Sequence, residues 1–122
     1  MFSFEGVLKE VKRDKRQGVD KLVIVRGDER VTLEVELPVG LFNLKANAQC
    51  KVSVKSERPS EKRKDRITLR GLLFKVDREE GGFERVKFSC GGLWAILRGK
   101  ELGVNWRKGG VYYISIEGVL AT

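Results

Sequence analysis

The sequence has no histidine and only two cysteines, Cys50 and Cys90. Without histidine there is no Cys–His or Ser–His pair to activate a nucleophile. A structural zinc site ordinarily takes more cysteine and histidine ligands than this chain holds. The only disulfide available would join Cys50 to Cys90. The intracellular setting argued below disfavours it, and both residues read as small apolar core side chains. Phosphate-binding loops of the GxxxxGK[ST] or GxGxxG kind are absent. Asp14, Asp20, Asp28, Asp65 and Asp77 are scattered and turn-like, whereas carboxylates that hold Mg²⁺ must cluster. The chain reads as non-catalytic by itself, with no cofactor and no small-molecule substrate.

Long apolar runs are missing too. No stretch approaches the ~20 residues that span a bilayer, and the opening MFSFEGVLKE has no basic-then-apolar signal pattern. The expectation is a cytoplasmic protein with no membrane partner. Glutamine and asparagine are scarce, while 34% of residues are charged; that balance suits a thermophilic source using surface ion pairs. No segment sustains a 3.6-residue period, although LFNLKANA at 41–48 could form one helical turn. No internal repeat and no second domain are visible. The 122 residues, 41% of them apolar, suffice for one domain with its own core.

What the sequence does have is a hydrophobic period of two. In VTLEVEL (31–37), Val31, Leu33, Val35 and Leu37 share a face opposite Thr32, Glu34 and Glu36. AQCKVSVK (48–55) repeats the pattern with Ala48, Cys50, Val52 and Val54. Such alternation marks half-buried antiparallel strands. Eight strands are predicted, over 2–12, 20–27, 30–37, 48–56, 66–77, 83–90, 93–98 and 111–117. Gly27-Asp28 separates the second and third as a hairpin would. Pro38 and Gly40 end the third, and Glu79-Glu80-Gly81-Gly82 turns the fifth into the sixth. Eight short strands in one small domain must close on themselves or pack as two sheets to hide their edges. The fold expected is all-β: a small eight-stranded antiparallel barrel, an OB-like Greek key.

FSCGGLWAILRGK (88–100) interrupts the alternation. Val86, Phe88 and Cys90 point one way, Gly91-Gly92 intervenes, and Leu93, Ala95 and Leu97 resume on shifted parity. Glycines inside a strand pattern mark a bulge, a barrel corner or a close backbone approach. A bend is favoured over a reactive thiol, because Cys90 lacks the cationic neighbours that activate cysteine.

Charge and aromatics suggest partners. The chain has 25 Lys and Arg against 17 Asp and Glu, a net charge of +8. The excess concentrates at 9–16, 55–70 and 98–108. Lys12, Arg13, Lys15, Arg16, Lys62, Arg63, Lys64, Arg107 and Lys108 are therefore the expected contacts with nucleic acid or with an acidic protein. Phe74 and Phe88 sit in apolar runs and read as core. Trp94 has the parity opposite to Leu93 and Ala95 and should point outward. Tyr112 and Tyr113 alternate, so one of them should do the same. An outward Trp beside an outward Tyr would form a docking patch, although both residue types also fill cores.

Three stretches together resemble a known family: VTLEVELPVGLFNLKANAQCKVSV (31–54), DRITLRGLLFKVD (65–77) and, most specific, FSCGGLWAILRGKELGVNWRKGGVYYISI (88–116). They are similar to the small component of DNA-directed RNA polymerase known as subunit 8 in eukaryotes, and to its counterpart in some archaea. Residues 1–30 match less clearly. The stretch at 57–65 leaves little room for the long insertion of eukaryotic members, which suits an archaeal-type member. The resemblance implies an OB-related eight-stranded barrel that docks on the largest polymerase subunit, away from the catalytic metal. It implies a partner interface at Gly91, Gly92 and Leu93; the parity argument adds Trp94 and Tyr112. The competing expectation is a free-standing OB-type binder of single-stranded nucleic acid, with a continuous groove of basic loops flanking exposed aromatics.

Overall fold

The computed structural model describes residues 1–39, 47–60 and 66–118. Its eight strands are β1 (Phe2–Asp14), β2 (Val19–Arg26), β3 (Val31–Pro38), β4 (Gln49–Lys55), β5 (Arg66–Arg78), β6 (Phe83–Cys90), β7 (Leu93–Lys100) and β8 (Val111–Glu117). All eight expected strands are present. They form a closed antiparallel barrel in the order β1-β2-β3-β7-β6-β5-β8-β4, with β4 pairing back on β1. The inward residues of every strand meet in one core that includes Leu8, Leu22, Leu33, Val52, Leu73, Phe88, Leu97 and Ile114. The predicted helical turn at 41–48 falls mostly outside the described residues.

The barrel contains a repeat that the sequence hides. β4-β1-β2-β3 and β8-β5-β6-β7 are each a Greek key, three consecutive strands with the fourth returning beside the first. The registers correspond. Leu8 pairs with Ile24 as Leu73 pairs with Phe88. A register shift falls between Leu8 and Glu10 in β1 and between Leu73 and Lys75 in β5. Beside it, Leu8 exchanges backbone hydrogen bonds with Asn47 and Ala48, as Leu73 does with Gly109 and Gly110. The two halves meet along β3–β7 and β4–β8, and both pairings are symmetric about a local two-fold axis. The expectation of no internal repeat is thus corrected. The halves share the alternation of apolar and polar positions but few residue identities, because a barrel core asks for apolar volume and not for particular side chains.

Gly6 and Gly71 are an exception. They hold equivalent places in β1 and β5. A Cβ on Gly6 would lie 3.0 Å from the Ile24 side chain and 2.8 Å from the Val25 carbonyl; one on Gly71 would lie 3.0 Å from Cβ of Phe88. Each long strand passes close over its neighbour there before the bulge bends it around the barrel.

Antiparallel pairing also fixes which loops share an end. The β1–β2 and β6–β7 turns lie at one end of the barrel. The β2–β3 and β5–β6 turns and the 101–110 connection lie at the other.

Candidate functional site

Gly91 and Gly92 form a two-residue reversal, not a kink in a continuing strand. Both have positive φ, 62° and 90°, as a type I′ hairpin turn requires. Cys90 and Leu93 close the hairpin as a pair. Added Cβ atoms at either glycine would meet nothing within 4 Å, so backbone conformation rather than close approach explains these residues. Cys90 packs half-buried against the core, and burial pushes its thiol up to about 11. Cys50 is buried and likewise raised by burial. Both cysteines are free.

Below this turn the outer face of β5, β6 and β7 carries an apolar cluster. Trp94 points outward, as its parity predicted, and its ring meets Phe74 edge-on at 5.6 Å. Phe74 is 51% exposed and Leu72 48%. The expectation that Phe74 is core is therefore corrected. Leu73 is buried and Val76 packs inward, so the β5 bulge puts Phe74 and Lys75 together on the outside. Inward positions three residues apart cannot belong to an unbroken period of two, and the apolar run Leu72-Leu73-Phe74 hides which of its members faces out. Lys87 and Ile96 pair across β6–β7 on the same face. The Lys87 ammonium sits 4.1 Å from the centroid of the Trp94 ring, a cation–π contact. The Trp94 backbone N–H donates to Oε1 of Glu36 at 2.9 Å. A small cleft of about 120 Å³ opens between Trp94, Ile96, Lys87, Glu34 and Lys21.

The other half of the barrel supplies an internal control. By register, Phe74 corresponds to Lys9, Trp94 to Thr32, Ile96 to Glu34 and Lys87 to Val23. The equivalent surface folds the same way without outward aromatics. The Phe74–Trp94 cluster is therefore particular to this half of the barrel.

The remaining expected site residues divide. Gly91, Gly92, Leu93 and Trp94 lie together on the β6–β7 hairpin. Tyr112 does not join them. It is only 7% exposed and plugs the barrel with Phe88 and Trp106, at ring separations of 5.8 and 5.4 Å. Its hydroxyl accepts the Arg107 N–H at 2.9 Å. Its inward parity follows from Ile114 and Ile116, both buried; Tyr113 takes the outer side, with Arg58 over its ring at 5.8 Å.

Among the described residues the expected basic side chains do not gather into one groove. Lys12, Arg13, Lys15 and Arg16 lie at the β1–β2 end, where Arg13 is committed to buried Asp20 at 2.9 Å and Lys12 to Glu10 at 3.2 Å. Arg107 and Lys108 lie at the opposite end. Lys62, Arg63 and Lys64 fall outside the described residues. Among the described residues no group of His, Cys, Asp and Glu is arranged to hold a metal ion, and no helix is long and apolar enough to cross a membrane. No family model and no curated protein matches this sequence.

Proposed function

We propose that this chain is a non-catalytic subunit of a multisubunit DNA-directed RNA polymerase, seated on the largest subunit through the outer face of β5–β7. One observation carries the docking part: Leu72 and Phe74 are exposed beside the half-buried Trp94 ring, and the equivalent surface of the other half has no outward aromatics. Large aromatic side chains at the surface are characteristic anchors of protein interfaces. The choice of host rests on the resemblance of residues 31–116 to polymerase subunit 8 and its archaeal counterpart. In this reading the chain is an archaeal-type cytoplasmic member that supports assembly or stability of the transcribing enzyme.

The free single-strand binder is less well supported. Stacking of bases needs open aromatic faces beside a continuous basic track. Arg98 lies over the Phe83 ring, 4.4 Å from its centroid, and among the described residues the basic loops at 12–16 and 107–108 lie at opposite ends.

The test is capture of the tagged chain with its partners from native extract after nuclease treatment. Stoichiometric recovery of the large polymerase subunits is expected, and its loss in a Phe74→Ser, Trp94→Ala variant. Nuclease-sensitive retention of nucleic acid with no polymerase would overturn the proposal.

A further inference from the structure

The charges around the apolar cluster say what kind of segment covers it. The neighbouring carboxylates are already engaged. Glu34 pairs with Lys21 at 3.6 Å, Asp77 with Lys75 at 3.5 Å and Glu79 with Arg98 at 3.1 Å; Glu36 accepts the Trp94 N–H. Two cations on the same face have no carboxylate within ion-pair distance among the described residues: Lys87, whose ammonium rests on the Trp94 ring, and Arg85, two residues before it on β6. Residues two apart on a strand lie on one face, about 6.6 Å from each other. Arg85 and Lys87 thus form a cationic row on β6 leading away from the Gly91-Gly92 turn, while Leu72 and Phe74 on β5 and Trp94 on β7 flank that strand.

We infer that this face binds an acidic-apolar protein segment, whose apolar side chains cover Leu72, Phe74 and Trp94 and whose carboxylates pair with Lys87 and Arg85. The inference rests on the docking reading above and adds the chemistry of the partner. An apolar surface alone would accept many partners. Two cations beside it without a carboxylate partner among the described residues select carboxylates and repel a basic segment, which is how charge sets specificity at an interface. Carboxylate pairing draws Lys87 off the indole and opens the Trp94 face to the apolar half of the segment. The internal control agrees again: the positions equivalent to Arg85 and Lys87 are Lys21 and Val23, and Lys21 is already paired with Glu34.

The test uses the whole chain, labelled with ¹⁵N, and two short synthetic peptides. Each has a phenylalanine–leucine half; the other half is glutamate in one and lysine in the second. The glutamate peptide is expected to shift the Trp94 indole signal and the amides of 85–96, at least about tenfold more tightly than the lysine peptide. The double variant Arg85→Glu, Lys87→Glu is expected to reverse that preference. Equal binding of both peptides, shifts confined to other surfaces, no shift at all, or tighter binding of a poly-dT oligonucleotide at this face would each overturn the inference. Because the peptides need no polymerase, failure of the capture experiment and failure of this one are separate results.

Discussion

Phe74 and Phe88 stand on strands that pair with each other and face opposite ways, so they should fail in opposite ways. Phe88 is fully buried among Trp106, Tyr112 and the inward aliphatics. Phe88→Ala should lower stability by about 3–5 kcal/mol, through lost burial and an unfilled cavity. Phe74→Ser, at a half-exposed site that loses its edge contact with Trp94, should cost only about 1 kcal/mol while abolishing capture of the partner. Chemical denaturation and capture run on both variants separate the two roles; a large stability loss for Phe74→Ser would assign that ring to the fold. The thiols make a second residue-scale prediction. With Cys90 pushed up to about 11, about one molecule in ten thousand carries its thiolate at neutral pH. Labelling of Cys90 should be slow in the folded chain and accelerate on unfolding, and rapid labelling of the native state would contradict its packing against the core.

At the scale of elements, alternation of period two along the chain, clearest at 31–37 and 48–55, makes the strands and most of their inward faces legible, because one side of each strand must meet a common core. Two features escaped it. The bulges at Lys9–Glu10 and Phe74–Lys75 shift parity inside an otherwise regular strand, and the apolar run Leu72-Leu73-Phe74 makes Phe74 read as core although it faces out. Tyr112 and Tyr113 are chemically alike, so their order could be read only from Ile114 and Ile116. The Gly91-Gly92 turn was legible as a break but not as a reversal; its identity lies in φ. Replacing both glycines with alanine should cost about 1–2 kcal/mol at each left-handed position, read as a lower unfolding midpoint with the barrel retained. Gly71→Ala should also destabilise, since its new methyl meets Phe88 at 3.0 Å. At the β2–β3 turn, hydrogen bonds from the Arg26 guanidinium and the Arg30 N–H hold the Asp28 carboxyl down, from 3.8 to about 2. A carboxyl depressed by folding stabilises the native state above its unfolded value. That contribution is lost as pH falls from 3.8 through about 2. An Asp28→Asn variant should therefore lose less stability across this window in a pH-dependent melt.

For the whole molecule, the two-fold arrangement raises the question of why two similar Greek keys pair with each other and not each with its own copy. The seams hold the answer. At β3–β7, Glu34 faces Ile96, and at β4–β8, Lys51 faces Glu117. Pairing the first half with a second copy of itself, in the same register, would set Glu34 against Glu34 and Lys51 against Lys55. Like charges directly opposite on a sheet are destabilising. The second half would set Ile96 against Ile96, which carries no such penalty. Fragments 1–60 and 61–122, made separately, should therefore each lack a cooperative melt at low concentration, since each leaves two strand edges and one side of the core open to water. Mixed, they should form a one-to-one complex that melts as a unit, with a midpoint rising with concentration. Glu34→Ile and Lys51→Glu in the first fragment should let it self-associate and weaken its preference for the second. Sedimentation of the fragments alone and mixed decides the matter: self-association of the unmodified first half as strong as the mixed complex would show that charge at the seams does not direct the pairing.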